Sequence, residues 1–108
     1  MMSAPSITVD SNWGVASGAS PQDSPARTFT VPSASPGTIK FVNVSATGTL
    51  RYSKNGGALT AVVDLATLSV ATGDTLSFRL TGSGDTGSLG VNDATTGVSI
   101  GSWSATVT

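Results

Sequence analysis

The sequence predicts an all-β domain, a sandwich or barrel of seven or eight strands paired antiparallel, and three observations carry that prediction. Runs of four to eight β-branched, aromatic and aliphatic residues are broken every eight to twelve residues by Gly, Pro, Asn or Asp clusters, the rhythm of short strands joined by tight turns. The acids are six Asp and no Glu, and Asp suits turns where Glu suits helices. Ser, Thr and Gly fill 46 of the 108 positions, and charged residues only 10%, which speaks for a folded, weakly charged surface and against a disordered tail. A chain of 108 residues cannot divide into halves that each bury a core, so a single domain over 1–108 is expected.

Taken in order, residues 6–9 and 13–16 read as short strands. Residues 17–36 carry Pro21, Pro25, Pro32 and Pro36. Proline removes ladder donors, so this stretch reads as exposed loops and an edge strand near Phe29, over residues 27–31. Residues 1–36 as a whole are then a loop-rich N-terminal arm and edge-strand region, suited to docking. In residues 38–44, Ile39 and Phe41 share one face and Val42 and Val44 the other, which a bulge or burial of both faces explains equally well. Residues 49–54 alternate Leu50 and Tyr52 against Arg51 and Ser53, and Asn55-Gly56-Gly57 can take the positive φ of a hairpin turn. Residues 58–68 hold the only helix-like stripe, but Val62-Val63 and the Thr and Asp positions weaken it. They read as an irregular strand and crossover, with a short helical turn as the alternative.

A strand at 68–70 precedes the cleanest one, 75–81, where Leu76, Phe78 and Leu80 alternate with Ser77 and Arg79. Residues 88–93 bury Leu89 and Val91, residues 94–97 turn, and 98–107 return. There the apolar phase shifts from Val98 and Ile100 to Trp103, Ala105 and Val107, which places a bulge at Gly101-Ser102. The expected core is Leu50, Tyr52, Leu76, Phe78, Leu80, Val91 and Trp103. Residues 45–52 echo 71–78, two similar turns leading into strands rather than a duplicated module.

Composition also narrows function. Five dispersed cations at a pI near 4.8 supply no phosphate-neutralising patch, so nucleic acid is not an expected partner. With no Cys and no His, the chain has no thiolate or imidazole zinc site, no Ser–His or Cys–His pair and no histidine base. No catalytic residue, metal or cofactor is expected. The opening MMSAPSITVDSNW has neither a basic n-region nor an apolar h-region, and no stretch has the roughly 18 apolar residues of a membrane span. Neither a secretory signal nor a membrane partner is expected.

Trp13, Trp103 and Tyr52 could form a platform for sugar stacking, but Tyr52 and Trp103 are in phase with core neighbours. Trp13, beside Gly14, has no assigned face. Asp85, Asn92 and Asp93 offer oxygen ligands for calcium but match no EF-hand spacing, and turn chemistry accounts for them. Asp74 in Gly73-Asp74-Thr75 is expected to bond its own turn. Nothing groups two Asp as a glycosidase pair.

The order Arg51-Tyr52-Ser53-Lys54-Asn55-Gly56-Gly57, then 68–79 (LSVATGDTLSFR), then Asp93-Ala94-Thr95-Thr96-Gly97 and Gly101-Ser102-Trp103, resembles the immunoglobulin-like β-sandwich modules of tailed-bacteriophage virion proteins. The resemblance covers residues 38–108, lacks the Cys pair of antibody domains and carries over no functional residues. It implies an all-β, immunoglobulin-like antiparallel β-sandwich. It further implies a non-enzymatic structural protein of the virion, decorating or capping a capsid or tail lattice in many copies through protein–protein contacts and self-association. Expected partner contacts are Trp13, Arg27 and Phe29, with strand edges near Phe29 and at 105–108, and a weak dependence on salt. The alternative is a carbohydrate-binding or host-adhesion module that takes a glycan on Trp13 and a second coplanar aromatic.

Overall fold

The computed structural model describes residues 6–9, 12–33 and 35–108, and within them every regular element is a β-strand. They are β1 (Thr8–Val9), β2 (Gly14–Gly18), β3 (Gln22–Asp23), β4 (Arg27–Thr30), β5 (Gly37–Ala46), β6 (Thr49–Lys54), β7 (Thr60–Ala61), β8 (Thr67–Val70), β9 (Thr75–Thr81), β10 (Thr86–Asp93) and β11 (Ser99–Val107). One sheet runs β1-β4-β9-β6-β7, with β3 also on β9, and the other runs β2-β11-β10-β5-β8. Burial alternates strictly along β9 and β10, so each sheet has a buried inner face and a wet outer one, as period-two side chains require.

Two departures from the expected pairing have simple causes. The β2–β11 pair is parallel, with Gly14 opposite Trp103 and Gly18 opposite Val107. Apolar alternation within a strand carries no information about the direction of its neighbour, so an all-antiparallel reading missed it. The strand at 27–31 is not an edge either: β4 lies between β1 and β9, and Phe29 is fully buried. All four prolines of residues 17–36 are exposed and outside the strands, so they interrupt connections and leave the ladders intact. Ser24 keeps β9 paired across that interruption. Its N–H donates to the Phe78 carbonyl and its Oγ accepts from the Phe78 N–H, at 2.9 and 2.8 Å.

The stretch read as a loop-rich arm therefore supplies β1 to β4 and the core residues Ile7, Trp13, Phe29 and Val31. Leu50, Leu76, Phe78, Leu80, Val91 and Trp103 are buried as expected, and Tyr52 is half-buried against Phe41. Phe78 is the hub. Trp13 meets its ring edge-on at 5.2 Å, Phe41 edge-on at 6.2 Å, and Trp103 stacks on it at 6.0 Å.

Both phase shifts in the sequence are bulges. Between Ser88 and Gly90, β10 advances two residues while β5 advances three, from Ser45 to Val42. The extra residue is accommodated at Asn43, which has φ 52°, a conformation Asn tolerates. On β11 the pairing steps from Gly101 to Ser99 while β10 moves by one residue, so Ile100 is the extra residue, one position before the expected Gly101-Ser102. The hairpin turn is formed as expected, with Asn55 and Gly56 at φ 56° and 69° and the Gly57 N–H donating to Lys54.

Trp13 joins the two sheets, so its substitutions should be costly. Trp13→Ala is expected to lose about 3–5 kcal/mol. Trp13→Phe, which strands the Leu76 carbonyl, should lose about 1–3 kcal/mol. Urea denaturation measures both, and a change within experimental error for Trp13→Ala would remove Trp13 from the core. Deleting residues 1–26 should abolish cooperative unfolding, since it removes Trp13 and the strand beside β11.

Candidate functional site

The two outer faces differ in chemistry. On the first sheet, Arg51 lies opposite Arg79 across β6 and β9, and Asp23 lies opposite Arg79 on its other side. Asp23 and Arg79 form a two-pronged ion pair, Nε to Oδ1 at 2.6 Å and Nη2 to Oδ2 at 3.1 Å. A groove of ≈ 370 Å³ opens beside this pair, between Ser24 and Ala26 on one wall and Gly57 and Leu59 on the other. The two-pronged pair braces the wall of the groove.

The outer face of the second sheet carries Val15 and Ser17 of β2, Ser102, Ser104 and Thr106 of β11, Ser88, Gly90 and Asn92 of β10, and Thr38, Lys40 and Val42 of β5. Only Lys40 among these is charged. A recess of ≈ 330 Å³ lies toward the β2 side, with Gly90 in its floor and Asn12, Asn43 and Val15 around it. Val15 is 83% exposed. β2 is the edge strand here, with β11 on one side and no strand on the other among the described residues.

These positions correct the expected contact residues. Trp13 is 2% exposed and Phe29 0%, so neither side chain is on a surface that could touch a partner. Trp13 is pulled inward because its indole N–H finds the Leu76 carbonyl at 2.8 Å. Arg27 is half-buried, and its Nε donates to the Asn12 carbonyl at 3.3 Å. The C-terminal stretch 105–108 is not an edge: β11 lies between β10 and β2, and Thr108 N–H donates to Gly18. With Trp13 and Trp103 both buried, no pair of coplanar surface tryptophans forms.

Asp74, Asp85 and Asp93 serve turns. Asp93 is buried and accepts from the Thr95 N–H at 3.1 Å and the Thr96 hydroxyl at 2.8 Å. Asp85 lies against Gly82 and Gly48, where a Cβ would collide with its side chain. Among the described residues no three His, Cys, Asp or Glu side chains group as a metal site. Asp74 accepts from the Ala71 N–H at 2.8 Å and from Asn55 Nδ2 at 3.1 Å, with Lys54 Nζ 3.5 Å away.

Sequence reasoning missed the turn between β7 and β8. Val63 and Leu65 project there at 58% and 60% exposure, and Leu65 has φ 67°. Leu so rarely adopts this conformation that no sequence signal announces it.

No family model matches the chain, and no curated protein matches it. Among solved structures, the N-terminal domain of PorA is similar at a TM-score of 0.51 and 14% identity, covering 94% of this chain and 95% of that one. At that identity the likeness is one of fold.

The Asp74 bonds make a pH prediction. The Ala71 N–H first, then the Asn55 amide and Lys54, hold its carboxyl below the ordinary value of 3.8. A folded-state pKa below the unfolded one adds stability above the unfolded value and loses it as pH falls through the folded one. Melting temperature should therefore drop below about pH 4, and Asp74→Asn should flatten that drop while lowering stability at neutral pH. An unchanged acid limb in the variant would contradict this role.

Proposed function

We propose that this chain is a non-enzymatic structural module of a bacteriophage particle that attaches to a capsid or tail lattice through its second sheet. The observation that carries the reading is the outer face of that sheet: small hydroxyl side chains, one cation, and a strand edge that is unpaired among the described residues, beside an exposed Val15. Short Ser and Thr side chains lose little rotamer entropy when ordered against a neighbour. An unpaired edge offers backbone groups to another chain. Few charges cross such a contact, so salt should weaken it little.

The strand order supports an immunoglobulin-like reading. β1-β4-β9-β6 falls in the A-B-E-D order and β11-β10-β5 in the G-F-C order of that sandwich. β2 is an added strand beside the last one, and β7 and β8 are insertions between the fourth and fifth strands of the pattern. Phe78, Trp13 and Trp103 occupy the space between the sheets that a disulfide and a tryptophan fill in antibody domains. This reading joins the residue pattern of 38–108, which resembles phage virion modules, to a surface suited to a repeating contact.

Immunogold labelling of purified virions with an antibody to this chain tests the proposal. Regular label on heads or tails is the expected result, retained through a high-salt wash. Virions without label, or label stripped by moderate salt, would overturn it.

A further inference from the structure

We propose that the outer face of the first sheet binds an acidic sugar, with the ring in the groove beside Asp23 and Arg79 and the carboxylate on Arg51. The site lies on the sheet opposite the one given to the lattice contact, so it goes beyond that reading and does not depend on it.

Charge marks the place. Asp23, Arg79 and Arg51 stand in one row across β3, β9 and β6, each directly opposite the next. Asp23 takes the Nε and Nη2 edge of Arg79, at 2.6 and 3.1 Å. Among the described residues no carboxylate lies within ion-pair distance of Arg51. The row therefore keeps a surplus positive charge in a chain of net charge −1, and Arg51 and the Nη1 side of Arg79 still have N–H groups to donate. Like charges directly opposite each other weaken a sheet, so the Arg51–Arg79 pair works against the fold that carries it. Natural folds concentrate such violations at functional sites.

The groove supplies the remaining contacts. Its ≈ 370 Å³ falls within the roughly 300–1,000 Å³ of small-molecule sites. Ser53 and Ser77 face each other across β6 and β9, in the outward row next to Arg51 and Arg79, and both line the groove. Ser53 Oγ donates to the Gly57 carbonyl at 2.9 Å, which leaves its lone pairs to accept, and the Asp23 carboxylate has lone pairs beyond those Arg79 uses. Leu59, 36% exposed, gives one wall an apolar surface for the C–H face of a ring. Hydroxyl partners beside an apolar wall suit a polyhydroxylated ring, and a guanidinium fork next to them selects a carboxylate by its two-pronged geometry.

The same geometry disfavours a peptide. An extended peptide binds a sheet by pairing with a free strand edge. Here β6 lies between β9 and β7, and β9 has β6 on one side and β3 and β4 on the other. The floor of the groove offers side-chain hydroxyls and guanidinium groups in place of an open ladder, and those recognise hydroxyls and carboxylates.

NMR titration of the isolated chain with galacturonate tests this, and with no particle present its outcome is separate from that of virion labelling. Galacturonate should shift the Ser53, Ser77 and Arg79 amides, and galactose at the same concentration should leave them in place. Arg51→Gln should weaken binding by about tenfold or more, the loss of one charge-assisted pair. Added salt should weaken it as well, in contrast to the lattice contact. An oligogalacturonate separates the two sources of such a sugar. A complex tighter than the monomer's places the bound unit within a polymer, an equal one marks a free sugar or a chain end, and either supports the site. No shift with galacturonate overturns the proposal, as do equal shifts with galactose, equal binding of acetate, or an Arg51→Gln variant that binds like wild type. Tighter binding of a Glu-rich peptide would make this a peptide site and overturn it too. Thermal melting supplies the second readout. Arg51→Gln should melt at or above wild type because it relieves the like-charge pair, and a lower melting temperature would make Arg51 a structural residue and overturn the proposal.

Discussion

Everything in this sandwich depends on Trp13 being held by both sheets at once. Its backbone N–H donates to Ser102 of β11 at 3.1 Å, and its indole N–H donates to Leu76 of β9 at 2.8 Å. One residue thus bonds the backbones of two different sheets, in a chain with no cysteine to do so covalently. Its ring also meets Phe78 at 5.2 Å and Phe29 at 6.4 Å. A buried indole with its N–H satisfied combines large apolar burial with a directional bond. Trp103 provides the contrast: its Nε1 is buried with no hydrogen-bond partner among the described residues, so it contributes through packing against Phe78.

That clamp fixes where the surfaces fall. With Trp13 inserted, the following residues are delivered as β2 alongside β11, and β2 becomes the edge of the second sheet. Val15 then faces outward, and the recess over Gly90 lies beside it. The first sheet ends at both sides in strands of two residues, β1 and β7, short edges that give a neighbouring chain little to pair with. The second sheet keeps longer edges in β2 and β8. The longer strand edges therefore belong to the second sheet alone.

The strands that could be read from sequence were those with period-two burial. β6 and β9 fall at 49–54 and 75–81, as the alternation of Leu50 with Arg51 and of Phe78 with Arg79 dictates. Both bulges announced themselves as phase shifts, because one extra residue moves every later side chain to the other face. What could not be read has no local pattern. β3 and β7 are two residues each and exist because β9 and β6 offer free ladder positions. Trp13 stands alone between Asn12 and Gly14, with no apolar neighbour to reveal its face. The prolines of residues 17–36 suggested a loose arm, but proline reports only where a ladder donor is missing, and here it marks the connections between paired strands. The surface was the least legible part, since a recess floored by Gly90 and a left-handed Leu65 are products of register and turn geometry.

Native-state hydrogen exchange tests the clamp most directly, because it resolves whether the N-terminal strand opens with the core or ahead of it. If Trp13 unites the sheets, the amides of β2 that pair with β11 should exchange with the same opening free energy as those of β9, by global unfolding. β2 amides that exchange through a low-energy local opening, while β9 stays fully protected, would show that the two sheets hold together without Trp13.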